Sequence, residues 1–329
     1  MPLSLHVDGQ KWRSHLSQLM SAKPGLVPVI KGNGYGFGLE LLAAESTRLG
    51  VETIAVGLAS EVAKVRAAFA GEIVILSPDQ VTTVLEDPKI IQTISSLEVL
   101  QSIDANTNVI VEILTPLNRH GIDVSEINRA LTIVKERGLK LRGFTLHLPI
   151  AKIDSKWISS TLKFLPDGSN VWISHLHGAD QVKKEFTKLV FRERIGTALW
   201  LGADSTLEAM ATVLENRKIQ GTAGYQQRRS RGNVIVASGG TAHGIGLTAP
   251  LNDFSLIGRV KIIARALEAA FGRMRSPYRH AGKTLDFLES PHMQCSLLIC
   301  SGSNQPKPGD ELKVRVRYTT TTFDQIIFS

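Results

Sequence analysis

The chain has 329 residues, of which 43% are hydrophobic, enough to bury the core of one large barrel or of two domains. Its formal net charge is +8 at pH 7, but only 6% of the residues are aromatic and no nucleic-acid-binding module is recognisable, so nucleic-acid binding is not expected. No apolar run approaches the roughly 18 residues of a membrane helix, and no signal-peptide pattern opens the sequence. Two cysteines, Cys295 and Cys300, are too few for a disulfide framework or a metal site. We therefore expect a cytoplasmic protein without a membrane segment or a metal ion.

Short apolar segments alternate with helical patterns from Lys11 to about Ala203, as expected for repeated βα units around a parallel sheet. The predicted strands are 26–30, 53–56, 73–76, 109–113, 141–146, 171–174 and 197–201. The predicted helices between them include 39–49, 59–68, 124–137 and 155–165. Seven or eight such units predict a TIM-type (β/α)8 barrel.

After Ala203 the pattern changes to alternating β-rich stretches separated by Gly, Pro and Asn turns. The predicted β stretches are 233–237, 255–264, 293–300 and 311–318. The opening residues 3–7 alternate in the same way. The sequence therefore predicts an α/β barrel followed by a β-rich domain.

One segment in the barrel region, residues 27–38, carries the clearest functional signal. Its sequence, Val-Pro-Val-Ile-Lys-Gly-Asn-Gly-Tyr-Gly-Phe-Gly, sets Lys31 at the carboxyl end of a strand, where barrels hold their active sites. Partial burial there lowers the pKa of a lysine and makes its amine a usable nucleophile, Schiff-base partner or proton carrier. The alternating glycines permit positive φ and close approach of a ligand. Considered alone, Lys31 also fits a solvated lysine before a flexible loop.

The same segment resembles the pyridoxal-phosphate lysine motif of alanine racemases, Val-Lys-Ala-Asn-Ala-Tyr-Gly-His-Gly. The matching positions are Lys31, Asn33, Tyr35, Gly36 and Gly38. The resemblance implies that Lys31 carries pyridoxal 5'-phosphate and that the Tyr35 hydroxyl contacts its phosphate. Gly32 and Gly34 replace alanines of the family, and Phe37 replaces a histidine. Related lysine motifs occur in decarboxylases of the same fold type, but the Tyr-Gly-x-Gly end favours the racemases.

A second resemblance lies in residues 191–202, Phe-Arg-Glu-Arg-Ile-Gly-Thr-Ala-Leu-Trp-Leu-Gly, which are similar to the racemase segment Val-Arg-Pro-Gly-Ile-x-Leu-Tyr-Gly. Arg194 matches the arginine that faces the pyridine nitrogen, and a guanidinium that keeps its proton leaves that nitrogen unprotonated. The backbone amides of Gly196 and Thr197 would bind the phosphate. Considered alone, Arg194 also fits a surface salt bridge.

Two further positions of the barrel region resemble the cofactor site of the family. His147, in Gly-Phe-Thr-Leu-His-Leu-Pro, resembles the histidine that stacks on the pyridine ring, although a lone strand histidine is more often a core residue. His175 and His177 fall where the family supplies a phosphate-binding serine, and Ser174 is the candidate that remains for that role.

Racemisation needs two acid–base groups on opposite faces of a planar carbanion, and Lys31 is only one of them. In alanine racemases the second is a tyrosine from the β domain of the partner subunit, in a segment written Ser-Tyr-Gly. Tyr225, in Gly-Thr-Ala-Gly-Tyr-Gln, is the match, and a tyrosine donated in this way makes a homodimer with a shared active site obligatory. Met293 matches the methionine of the family's Cys-Met-Asp. Considered alone, Tyr225 fits an ordinary half-buried tyrosine equally well.

Arg119 matches the substrate-side arginine of the family, and a guanidinium can hold the carboxylate of an amino acid through two hydrogen bonds. Further positions depart from the family pattern. Glu112 replaces a lysine that many of these enzymes carbamylate, Gln294 replaces an acidic residue, and Phe323 replaces a phosphate-binding tyrosine. Glu112 would supply the negative charge that the carbamate supplies in those enzymes. It would pair with Arg119 if the loop between them folds back.

Taken together, these residues identify the chain as a divergent member of the alanine racemase family, whose enzymes use pyridoxal 5'-phosphate. The resemblance implies a barrel in residues 11–205 and a β-rich domain formed by residues 1–10 plus 206–329. It implies that the chain interconverts L-alanine and D-alanine by a two-base mechanism and supplies D-alanine for the cell wall. The departures at Glu112, Gln294 and Phe323 leave open a paralogue that binds the cofactor as a carrier or regulator.

Overall fold

The structure is a computed structural model that describes residues 2–78, 87–151, 154–176, 179–247 and 255–329. Contacts within the chain divide it into two compact units. The barrel unit comprises Ser14–Gly34 and Gly38–Gly202, and the β unit comprises Met1–Arg13, Tyr35–Phe37 and Ala203–Ser329.

The chain begins with strand β1 (Leu3–Val7) and helix α1 (Gly9–Ala22). Eight parallel strands then close into a barrel. Strands β2 to β9 are Val27–Ile30, Thr53–Val56, Glu72–Ile75, Ile90–Ile94, Asn108–Ile113, Lys140–His147, Asn170–Ser174 and Val190–Ile195. The last strand closes the barrel by pairing with the first, with Val27 opposite Arg194. The predicted α/β barrel is thus confirmed.

Helices follow the strands, as in a (β/α)8 arrangement. Helices α2 to α8 are Leu39–Arg48, Val62–Arg66, Leu97–Ser102, Ile127–Glu136, Ser155–Leu162, Ala179–Glu185 and Thr197–Trp200. Their first turns are capped by polar side chains where the sequence supplies them. Ser96 accepts a hydrogen bond from the amide of Val99, and Asp154 accepts one from the amide of Lys156.

Two of the barrel strands differ from the sequence prediction. The predicted strand 197–201 is wrong, because Thr197–Trp200 forms helix α8 and the strand β9 precedes it. β9 carries three consecutive charged residues, which obscure its strand pattern in the sequence, but tertiary contacts satisfy the first two. Arg192 lies over the Trp172 ring at 5.1 Å, and Glu193 pairs with two lysines. Strand β5, Ile-Ile-Gln-Thr-Ile, was not among the predicted strands.

Apolar side chains fill the inside of the barrel because the strands are covered on both faces. The interior residues are Val27, Val29, Ala55, Val74, Ile91, Ile110 and Trp172. Trp172 is 1% exposed, and its indole nitrogen donates to the Arg142 carbonyl at 3.1 Å. Such a filled interior leaves the carboxyl ends of the strands as the place for polar functional groups.

The β unit contains an eight-stranded, largely antiparallel sheet with the order β11-β14-β13-β12-β15-β10-β1-β16. Strands β10 to β16 are Leu207–Ala223, Arg228–Ser238, Met274–His280, Lys283–Phe287, Cys295–Cys300, Glu311–Val314 and Gln325–Phe328. β1 lies between β10 and β16, with Leu5 opposite Ala209 and Ile326. The predicted β-rich domain after the barrel is confirmed.

One predicted β stretch of this unit is wrong. Residues 255–264 do not form a strand, because helix α9 spans Leu256–Ala270. The β-branched Val260, Ile262 and Ile263 favoured a strand, whereas apolar residues also recur at the three- to four-residue spacing of a helix. Across the described ranges, no helix is both long enough and apolar enough to cross a membrane.

Candidate active site

The polar residues that were predicted for the barrel lie at the carboxyl ends of its strands. Lys31 directly follows β2, His147 is the last residue of β7, and Arg194 is the fifth residue of β9. Arg119 lies in the loop after β6. Because all eight strands run in the same direction, these ends share one rim of the barrel. The structure therefore brings four of the predicted residues to one place.

The charges of Arg119 and Arg194 change the pKa values of their neighbours at this rim. Burial lowers the pKa of Lys31, and the positive charges of Arg119 and Arg194 lower it further. The carboxylate of Glu61 opposes them. The residue as a whole is exposed at the rim, and its amine is deprotonated at a lower pH than an ordinary lysine amine.

Glu61 was not predicted as a site residue. One of its carboxylate oxygens accepts the amide of Gly32 at 2.7 Å, and the other accepts the amides of Gly57 at 2.7 Å and Leu58 at 3.0 Å. It therefore ties the residue after Lys31 to the end of β3. The available signal was an acidic residue a few positions after a predicted strand, at the rim where barrels hold functional groups.

Arg194 is 7% exposed and lies deep in the rim. Its terminal nitrogen donates to the Leu146 carbonyl at 3.3 Å, whereas its buried Nε has no hydrogen-bond partner among the described residues. Burial lowers its pKa to about 10, with the charge of Glu112 acting in the opposite direction and that of Arg119 adding to the decrease. Arg194 thus stays protonated at neutral pH. A surface salt bridge is excluded for Arg194 because the side chain is buried.

The buried carboxylate of Glu112 in β6 acts on Arg194. Its negative charge raises the pKa of Arg194 and so favours the protonated guanidinium.

His147 is held in the neutral form. Burial lowers its pKa to about 3, and the positive charges of Arg194, Arg119, His175 and Lys31 contribute. Its Nδ1 lies 3.3 Å from the Ser174 hydroxyl. The Ser174 hydroxyl is therefore already engaged with a ring nitrogen, which weakens it as a phosphate ligand. His177 lies outside the described residues.

The predicted phosphate ligands occupy two places. Gly196 directly follows β9, and its carbonyl accepts the amides of Leu199 and Trp200, so that Gly196 and the exposed Thr197 begin the single turn of α8. Tyr35 is 6% exposed, has a left-handed backbone with φ of 54°, and groups with the β unit. Burial raises the pKa of its hydroxyl to about 12.

The loop that contains Tyr35 also contacts the position of a family departure. A Cβ atom built on Gly36 would lie 3.1 Å from Cε2 of Phe323, and Gly36 has φ of 92°. Only glycine fits this backbone and this space without strain. Phe323 therefore lies against the glycine-rich motif, with a ring that lacks the hydroxyl of the family's tyrosine.

The predicted second base lies in the β unit. Tyr225 is at the tip of the β10–β11 hairpin and is 85% exposed, so the interpretation as a half-buried tyrosine is wrong. Met293 is 73% exposed, and both residues line a cavity of about 740 Å³. Tyr225 and Met293 thus lie on one exposed face of the β unit.

Sequence comparison now adds to this geometry. Residues 7–163 match the sequence model of the family described as alanine racemase, N-terminal domain. This part of the chain is therefore similar to the N-terminal domain of alanine racemases. The chain is 34% identical over 146 residues to the alanine racemase of Campylobacter concisus and 33% identical over 132 residues to that of Campylobacter curvus. The first match covers 44% of this chain and 42% of the relative, so the chain matches about two-fifths of the relative's length.

Solved structures of alanine racemases share the fold over nearly the whole chain. The crystal structure of alanine racemase from E. faecalis has a TM-score of 0.72 at 16% identity, and the match covers 100% of this chain and 98% of that one. A structure from Bartonella henselae, with covalently bound pyridoxal phosphate, has a TM-score of 0.69 at 17% identity and covers 97% of this chain and 91% of its own. At such low identity, this likeness shows that the chain has the same two-part fold.

Proposed function

We propose that this chain is a pyridoxal-phosphate-dependent amino-acid racemase that interconverts L-alanine and D-alanine as a homodimer. The observation that carries the proposal is the lowered pKa of Lys31, an exposed lysine at the barrel rim on which the charges of Arg119 and Arg194 act. Residues 7–163 around it match the sequence model of the alanine racemase N-terminal domain. Residues 11–205 would bind the cofactor, and residues 1–10 plus 206–329 would form the domain that supplies the second base.

The residues at the rim fit pyridoxal 5'-phosphate. The buried Nε of Arg194 has no hydrogen-bond partner among the described residues, and an unprotonated pyridine nitrogen is an acceptor that a guanidinium could satisfy. His147 is neutral and therefore suited to contact an aromatic ring without a charge. Lys31 would hold the cofactor covalently, and the phosphate would be bound by Tyr35, Gly196 and Thr197. When bound, the cofactor supplies an electron-withdrawing ring that stabilises negative charge on the substrate's α-carbon.

The side chains of this chain would bind the substrate and move its α-proton. The Arg119 guanidinium would hold the carboxylate, because planar guanidinium and carboxylate groups form two parallel hydrogen bonds. The Lys31 amine would exchange the α-proton on one face, and its lowered pKa keeps more of the amine in the proton-accepting form.

The opposite face would be served by the Tyr225 hydroxyl of a second copy of the chain. Tyr225 and Met293 are exposed on the β unit and are therefore available to such a copy. Arg194 would keep its proton and so limit charge build-up on the ring, which disfavours side reactions.

The test is to incubate the purified protein separately with L-alanine and with D-alanine in D₂O and to measure both α-proton exchange and formation of the opposite enantiomer. We expect Lys31→Ala to lose the visible absorbance of the bound cofactor, whereas the exposed Lys64→Ala keeps it. We expect Tyr225→Phe to bind the cofactor and to retain exchange on the face served by Lys31, while racemisation falls to a low residual rate.

Two results would overturn the proposal. A wild-type protein that shows the cofactor band but racemises neither alanine nor another amino acid would be a cofactor carrier or regulator. A wild-type protein without the band would contradict both functions.

A further inference from the structure

The tip of the β10–β11 hairpin is attached to a buried carboxylate from another part of the chain. The backbone amides of Tyr225 and Gln226 donate to the two oxygens of Glu289, at 3.0 Å and 3.1 Å. Glu289 is 3% exposed and lies between β13 and β14. One carboxylate thus binds two consecutive amides of the tip, which fixes the backbone that carries the Tyr225 side chain.

The tip is shaped to receive this carboxylate. Gly224 has φ of 79°, and a Cβ atom built on it would lie 2.5 Å from the carboxyl carbon of Glu289. Any side chain at position 224 would displace the carboxylate. On the other side of the turn, Arg228 donates to the Leu288 carbonyl at 3.0 Å, next to Glu289 in the chain.

The His292 side chain contacts both Glu289 and the Tyr225 ring. His292 Nε2 donates to Glu289 at 2.7 Å, and the His292 ring lies 4.5 Å from the Tyr225 ring, between centroids. The other ring nitrogen, Nδ1, lies 3.9 Å from Cys295 Sγ. Burial acts to raise the pKa of Glu289, but the hydrogen bonds from His292, Gln226 and Tyr225 outweigh it and lower the pKa. The carboxylate is therefore ionised at neutral pH.

Tyr225 is otherwise poorly supported, since its side chain is 85% exposed and no core packs around it. An exposed ring at a hairpin tip samples several rotamers unless neighbouring groups restrict it. A displacement of about 1 Å in a reacting group costs on the order of 100-fold in rate. A tyrosine that exchanges a proton with a substrate carbon therefore needs a fixed backbone and a fixed ring.

We propose that Glu289 and His292 are positioning residues for Tyr225, in which Glu289 fixes the backbone of the hairpin tip and His292 fixes the ring. This role rests on the proposed racemase function. Neither residue needs to contact substrate or cofactor, because each acts through Tyr225. Both are separate from the barrel residues that would hold the cofactor.

The test compares Glu289→Gln with Glu215→Gln, a control on the exposed part of the same hairpin. Glutamine keeps the size of the side chain but has one oxygen acceptor instead of two. We expect Glu289→Gln to lower the kcat of racemisation by about 10- to 100-fold with KM changed less than about twofold, because the orientation of Tyr225 is lost. Proton exchange on the face served by Lys31 should persist, and the double variant with Tyr225→Phe should be no slower than Tyr225→Phe alone.

A second measurement follows hydrogen exchange of the Tyr225 and Gln226 amides, which does not depend on activity. These amides should be protected in the wild type and should exchange faster in Glu289→Gln. His292→Phe keeps a ring beside Tyr225 but removes the hydrogen bond to Glu289. It provides an independent variant if Glu289→Gln does not fold, and it should lower kcat with the same retention of exchange.

Unchanged racemisation, additive losses in the double variant, or unchanged amide exchange in Glu289→Gln would overturn the positioning role. A wild type without racemisation would overturn the proposed function and, with it, this role in catalysis. In that case amide exchange would still show whether Glu289 holds the tip, so the two failures are distinguishable.

Discussion

The Glu61 carboxylate accepts the backbone amide of Gly32 at 2.7 Å, directly after Lys31 in the chain. The same carboxylate also accepts the amide of Gly57, beside which the Lys31 side chain packs. Its negative charge raises the pKa of Lys31 against burial and the charges of two arginines. One acidic side chain therefore fixes the strand end that carries the lysine and limits how far the pKa of that lysine falls.

Replacing Glu61 by glutamine should lower the pKa of Lys31 further, because it removes the negative charge that, among the described residues, raises this pKa. The Lys31 amine should then react with an amine reagent at a lower pH than in the wild type, as followed by mass spectrometry across a pH series. The exposed Glu52→Gln serves as the control. An unchanged or higher midpoint of reactivity would contradict the role assigned to Glu61. Glu61→Ala should also cost about 1 to 3 kcal/mol of stability, since it leaves backbone amides without their charged acceptor.

Replacing Arg119 by glutamine should raise the pKa of Lys31 rather than lower it. The Arg119 charge lowers the pKa of both Lys31 and His147, so its removal should raise both values. NMR titration of the His147 ring and the pH profile of Lys31 modification would measure the two shifts. The exposed Arg129→Gln on α5 should move neither. If the pKa of His147 stays at about 3 in Arg119→Gln, burial and the other nearby charges account for it without Arg119.

Stability should fall in acid because His147 is buried in the neutral form. Its folded pKa is about 3, below the ordinary value of 6.5, so the unfolded chain takes up a proton first as the pH falls. The contribution of His147 is therefore complete above about pH 6.5 and is lost progressively toward pH 3.

We expect His147→Asn, which does not titrate, to lose less unfolding free energy than the wild type between pH 7 and pH 4.5, as measured by urea unfolding at both values. The exposed His120→Asn should behave like the wild type. Parallel losses in wild type and His147→Asn would show that other groups cause the acid sensitivity.

Two glycines of the lysine motif should respond differently to alanine. Gly32 and Gly36 both have positive φ, which costs an alanine about 1 kcal/mol or more, but only at Gly36 would the added Cβ meet Phe323. Gly36→Ala should therefore lose about 1 to 3 kcal/mol more unfolding free energy than Gly32→Ala. Adding Phe323→Leu to Gly36→Ala should recover part of the loss. Equal losses of unfolding free energy at both glycines would mean that the clash with Phe323 does not destabilise the Gly36→Ala variant.

The barrel and the position of Lys31 were predictable from the sequence, because both depend on local residue patterns. Short apolar runs with helical segments between them predicted the barrel, and the motif around Lys31 placed that residue at a strand end. Both signals come from neighbouring residues, because strand burial and glycine-rich turns are encoded within a few positions. The order of barrel and β-rich domain followed from the same change of pattern near Ala203.

Which charged residues are buried, and what they bind, is visible only in the folded chain. Strand β9 looked unlike a strand because the partners of Glu193 are distant in sequence, and α9 looked like a strand because β-branched residues dominate its local composition. Glu61 and Glu289 were not recognised for the same reason. Glu61 binds a backbone amide 29 residues away in the chain, and Glu289 binds one 64 residues away. These contacts exist only once folding brings the partners together.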